Sequence, residues 1–176
     1  MGEPKRLRKK YQKPKHPWQA SRINEERTLM NEYGVKNKKE IWRSSSKVRA
    51  WRRQARKITE MAEDKAEEAK KTLIKKLRKL GILDEKADLE NVLDLKIKNL
   101  LERRLQTRLY KKGLSSTVKE ARQFISHGKV TINGKIITSP SYIVKTSDNI
   151  ALLPEFEKRI KENKAKPKKK ENGKEE

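Results

Sequence analysis

At 176 residues the chain has room for one domain or two small ones, and it carries a net charge of +24 with a pI of about 10.2. Apolar residues make up 32 %, below the roughly 45–50 % of an ordinary globular domain, so a small core with much cationic surface is expected, suited to a polyanionic partner. No cysteine is present, which excludes disulfides and thiolate metal sites, no apolar run approaches the ~20 residues of a membrane span, and MGEPKRLRKKYQ lacks the apolar core of a secretory signal.

The charge is uneven along the chain. Residues 1–59 carry +14, residues 60–100 are neutral, residues 101–153 carry +7 and residues 154–176 carry +3. Residues 1–20 hold three prolines and no apolar periodicity, which reads as an extended basic arm. Tyr11 and Trp18 sit among its charges. Such rings either stack on unpaired bases or anchor the arm to its own domain.

A first helix is expected from Arg22 to Tyr33, with Ser21 as its N-cap and Gly34 as its stop. Asn37 and Glu40 have capping-box spacing for a second helix reaching Thr59. Ile41, Ser44, Val48, Trp51, Ala55 and Ile58 recur in steps of three and four and form one inward stripe. Trp42, Arg49, Arg53 and Arg56 share another face, about 100° away. A charged face is usually just solvated, but here arginine dominates, and its planar fork fits phosphate oxygens.

Residues 60–80 read as a third helix, with Ala62, Ala66, Ala69, Leu73, Leu77 and Leu80 on one side, Glu67 able to pair with Lys71, and Gly81 as the stop. Residues 82–96 read as a turn-rich connector with one short helical piece.

From Ile97 the pattern changes. Leu101, Leu105 and Leu109 form a ridge at i+4 steps on one helix ending at Gly113, with Arg104, Arg108 and Lys111 alongside and Arg103 further round. Ser116 is placed as the cap of the next helix, which runs to His127. It buries Val118, Ala121, Phe124 and Ile125 and presents Lys119, Arg122 and Ser126 opposite. Asn133-Gly134 between Val130–Ile132 and Lys135–Ile137 is a strong hairpin signal, since a type I′ turn needs positive φ at both central residues. Tyr142–Val144 and Ile150–Leu152 add expected strands. Two helices on a small antiparallel sheet then make the economical packing. The tail is expected to stay helical to about Asn163 and to be disordered beyond it.

The runs LERRLQTRLYKKGL, FISHGKVTINGK and SPSYIV resemble the S-four RNA-binding domain. Together with PKRLRKKYQKPKHPWQ, YGVKNKKEIWR and ADLENVLDL, they resemble the archaeal form of the small-subunit ribosomal S-four family over roughly residues 4–152. The resemblance implies an α+β fold with a helical RNA-binding region 21–100 and an S-four domain 101–153; the basic arm 1–20 and the charged tail 154–176, which is not a strong family feature, are read from composition. The resemblance also implies direct binding of small-subunit ribosomal RNA at a multi-helix junction of the 5′ domain, early in assembly. Cytoplasmic residence in the ribosome would follow, with neighbouring ribosomal proteins such as S-five as partners. The family's RNA-facing positions carry over to Arg103, Arg104 and Arg108, to Lys119, Arg122 and His127, and to Lys129, Asn133 and Lys135. Arg49, Arg53 and Arg56 join them on the spacing argument above. Some bacterial members hold zinc through cysteines; this chain has none, so no metal, and no other cofactor, is expected.

Other classes fit less well. S-four-like domains also occur beside catalytic domains, but residues 1–100 read as basic helices with no phosphate-cradling glycine loop and no Cys/His cluster. No catalytic residue and no small-molecule substrate is expected. A processing factor for small-subunit precursor RNA, carrying the same domain, is the alternative within the binding class. A polybasic membrane-surface binder would need apolar faces that the core already claims.

Overall fold

The computed structural model describes residues 9, 11–85 and 87–157. The expected helical tail beyond residue 157 lies outside these residues, as does most of the first half of the arm. Among the described residues seven helices and three strands run in order: α1 Ala20–Tyr33, α2 Lys38–Thr59, α3 Glu63–Lys79, α4 Leu89–Leu93, α5 Ile97–Glu102, α6 Leu105–Lys111, α7 Val118–Ser126, then β1 Val130–Ile132, β2 Lys135–Ile136 and β3 Ile150–Leu152.

The stripe expected on α2 is the buried face of the helix, with Ile41, Ser44, Val48, Trp51, Ala55 and Ile58 all inside. It splits between two cores. Val48, Trp51, Ala55 and Ile58 meet Leu73 and Leu77 of α3, Val92 of α4, Leu95, and Leu100 of α5. Ile41 meets Tyr33, Val35 and Leu101 in a smaller cluster. Ala66, Ala69 and Leu80 pack at the edge of the larger core as expected. Ala62 does not join them: α3 starts at Glu63, and Ala62 is its exposed N-cap. Glu67 and Lys71 form the expected pair at 3.2 Å.

A third core forms the C-terminal module. Leu105 and Leu109 of α6, Ala121 and Ile125 of α7, and Val130, Ile132, Ile150 and Leu152 of the strands close around Val144. Burying each of the Leu, Ile and Val side chains stabilises by about 1.5–3 kcal/mol. The sheet is antiparallel in the order β2-β1-β3. The turn forms as expected, with φ of 50° at Asn133 and 80° at Gly134. The Asn133 amide oxygen also accepts from the Asn149 backbone N–H at 2.9 Å, which ties the turn to the start of β3.

Five expectations are corrected. The helix from Ile97 to Gly113 is two helices, broken at Arg103 and Arg104. At the break the chain is extended and pairs with Ile143, through Leu105 N–H to the Tyr142 carbonyl at 2.8 Å and Val144 N–H to the Arg103 carbonyl at 2.9 Å. The Tyr142–Val144 run therefore finds its partner in this break and makes no fourth strand. The α7 cap is Thr117, in a complete capping box with Glu120, and not Ser116. Helix α1 begins at Ala20, so Ser21 is not its cap, and Asn37 occupies the α2 cap position without a side-chain cap bond, the Glu40 N–H donating to the Asn37 carbonyl at 2.9 Å and the Glu40 carboxylate accepting from Arg104 and Arg122.

Candidate nucleic-acid interface

The C-terminal module is fastened to the helical region at two glycines. Gly34 has φ of 56°, and the buried Gln106 amide donates to its carbonyl at 3.0 Å and to the Val118 carbonyl at 2.9 Å. Gly81 has φ of 63°. Beside it the Arg103 guanidinium donates to the Leu80 carbonyl at 2.7 Å and to the Val144 carbonyl at 3.3 Å. A Cβ on Gly81 would stand 2.4 Å from Arg103 Nη2, so this contact needs glycine for space as well as for φ.

Between these two attachments lies the strongest electrostatic feature of the molecule. Glu40, on the first turn of α2, accepts from Arg104 through Oε2 and from Arg122 of α7 through Oε1, the latter at 3.0 Å. Burial pushes the Glu40 carboxyl up, but the hydrogen bonds from Arg122 and Arg104 and their charges outweigh it and hold its pKa below 4.5. Arg104 is only 4 % exposed. One carboxylate thus orders two arginines from the module against a helix of the N-terminal region.

The carboxylate sits in a cleft of about 780 Å³ between α2, Arg104, α7 and the loop around Pro140, Ser141 and Ile143. The cleft is basic: Lys9, Arg43, Lys47, Arg104 and Arg122 line it, and Glu40 is the one acid on its wall among the described residues. A second groove, of about 300 Å³, adjoins it along α2 and is lined by Lys9, Tyr11, Gln12, Ser46, Arg49 and Arg53. Lys9 and Tyr11 border both, so one cationic track passes from Arg53 to Arg122. The arm is held on this track by the Gln12 N–H to Ser46 Oγ at 3.1 Å and by the Arg43 guanidinium 5.9 Å from the Tyr11 ring.

Against this geometry the twelve expected binding residues fall into two sets. Arg49, Arg53, Arg56, Lys119, His127, Lys129 and Lys135 are exposed, and Arg108 is half-buried with no ion pair among the described residues. His127, Lys129 and Lys135 gather where α7 ends against β2: a Cβ on Gly128 would meet Ile136 at 3.6 Å, and Ile136 is itself 58 % exposed. Arg103, Arg104 and Arg122 instead spend their polar groups on partners within the protein, and Asn133, though exposed, bonds to Asp148 and the Asn149 N–H. The expectation that Arg104 runs along the outer face of its helix is corrected, because the helix breaks there and turns the side chain onto Glu40. Trp42 is similarly claimed: its Nε1–H donates to the buried Glu26 at 2.9 Å, so it is no part of an open arginine face. Of the arm's two aromatics, Tyr11 packs near Trp42, with ring centroids 6.2 Å apart, while Trp18 is 89 % exposed. Arg43 and Lys47 were not among the expected residues. Their spacing from Glu40, three and seven residues on, places all three on one helical face, and that is the signal that could have found them.

Comparison with known proteins agrees with this architecture. Residues 103–150 match the S4 domain. The chain is 48 % identical over 156 residues to small ribosomal subunit protein uS4 of Methanosphaera stadtmanae, covering 88 % of this chain and 86 % of that one. The uS4 of Methanothermobacter thermautotrophicus is 47 % identical over 156 residues, covering 88 % and 91 %. The chain belongs to the uS4 family. The uS4 of Ignicoccus hospitalis, 46 % identical over 148 residues and covering 84 % and 89 %, extends the match to a third relative. In each case it spans the helical region as well as the S4 domain.

Proposed function

We propose that this uS4-family chain is a structural constituent of the small ribosomal subunit that binds small-subunit rRNA directly. It clamps a multi-helix junction of the 5′ domain early in assembly. The observation that carries the reading is the continuous cationic track joining the arm, α2 and the S4 domain. Two basic surfaces fixed at one angle by Glu40, Gln106 and Arg103 fit RNA helices that meet at an angle. Helical RNA hides its bases in a deep major groove, so recognition rests on backbone shape, 2′-hydroxyls and unpaired junction bases. Cationic side chains release counterions from the phosphates, and affinity falls steeply with salt.

The reading assigns no catalytic step and no small-molecule substrate. Its place is the ribosome in the cytoplasm, with S-five as the protein neighbour that the family implies. Filter binding of the purified chain to a 5′-domain rRNA fragment, with tRNA as competitor, tests it: tight binding that survives competitor and weakens linearly in log Kd against log salt is expected. Binding abolished by tRNA contradicts a specific site. Co-sedimentation of the tagged chain with mature small subunits supports the constituent role, whereas co-sedimentation with precursors alone points to a processing factor.

A further inference from the structure

We propose that the cleft between α2 and the S4 domain is a subsite for one phosphodiester of the bound RNA, with Lys47 and Arg43 donating to its oxygens and the Arg104–Glu40–Arg122 triad as its fixed wall. The proposal rests on the rRNA reading above and names where on the protein the two regions share a single stretch of RNA backbone. Three observations carry it.

The first is charge. Among the described residues five cations line the cleft and one carboxylate offsets them, with both of its oxygens already taken by Arg104 and Arg122. Lys47 has no ion pair among the described residues, and Arg43 has only the Tyr11 ring. Like charges gathered at the junction of two packed regions destabilise the free protein, so the arrangement is short of an anion. Partial desolvation, and after it the charge of Arg104, lower the Lys47 pKa. The second is an unmet donor: the Arg104 Nε–H is buried without a hydrogen-bond partner. The third is form. The cleft's bases come from both regions, Arg43 and Lys47 from α2 and Arg104 and Arg122 from the S4 domain. Its apolar wall of Leu100, Pro140 and Ile143 leaves room beside a phosphate for the sugar that follows it. A planar guanidinium pair held by Glu40 needs no ordering when the anion arrives, whereas Arg43 and Lys47 supply adjustable donors.

The test uses the full chain and a 5′-domain rRNA fragment. Lys47→Gln and Arg43→Gln are expected to weaken specific binding on the order of tenfold each, as for the loss of one charge-assisted hydrogen bond, and to lower the slope of log Kd against log salt by about one. Lys47→Gln should also leave the free protein as stable as wild type or raise its Tm, because it relieves repulsion; a lysine serving the fold would lower it. Lys75→Gln, an exposed change on α3, should alter neither quantity. If wild type binds specifically and both cleft variants bind equally well with unchanged slope, the subsite is overturned while the rRNA reading stands. Failure of wild type itself to bind overturns that reading and the subsite together.

Discussion

Glu40 is the residue on which the two regions depend. It is one of five acids in a segment with nineteen bases, and both its oxygens are occupied by arginines of the S4 domain. Removing one partner of a buried ion pair leaves an uncompensated charge, so Glu40→Ala is expected to destabilise by about 3–5 kcal/mol, read as the shift in chemical unfolding. The same carboxylate sets an acid dependence. Its folded pKa lies below the ordinary 4.5, so its contribution is complete above that value and is lost as pH falls through it. Glu40→Gln should therefore flatten the loss of stability that wild type shows as pH falls below 4.5. An unchanged acid profile would mean the triad does not hold the fold. Sequence reading could see that Arg104 and Arg122 matter but not which way they point. Glu40 lies 64 and 82 residues upstream of them, and no local periodicity encodes that pairing.

At the scale of elements, what could be read and what could not divides by the range of the interaction. The α2 stripe was legible because every third or fourth side chain is apolar and no distant contact competes with it. The Asn133-Gly134 hairpin was legible because two positive φ values are a local demand. The break between α5 and α6 was invisible: Leu101, Leu105 and Leu109 keep i+4 spacing across it, yet Leu101 serves one core and Leu105 and Leu109 another. The interruption comes from the backbone at Tyr142 and Val144, some forty residues downstream, and propensity within the helix gives no hint of it. Gly81 is a similar case, recognisable as a helix stop but not as the seat of Arg103. Gly81→Ala combines positive φ with a 2.4 Å clash, and it should cost more than the ~1 kcal/mol that positive φ alone exacts. Thermal unfolding of the variant reads this directly; a loss of only that size would show that Arg103 can swing away freely.

Over the whole molecule, the described cationic groups separate into those bonded between the two regions and those left exposed. Charge reversal at Arg104 and Arg122 should unfold the junction, whereas Lys119→Glu, Lys129→Glu and Lys135→Glu together should leave circular dichroism and Tm near wild type and remove specific RNA binding. Loss of fold in that triple variant would place these lysines in the structure. Composition alone made the polyanionic partner legible, and spacing found the exposed residues on α2 and α7. The track between them could not be read, because it exists only where Lys9 and Tyr11 of the arm bring two grooves together.

The measurement that tests the account most directly is chemical footprinting of small-subunit rRNA with and without the full protein, at moderate salt and with tRNA competitor. The account predicts protection confined to one multi-helix junction of the 5′ domain, with contacts on more than one of its helices, as a two-region clamp requires. Diffuse protection that vanishes with competitor, or protection of a single helix alone, would contradict it.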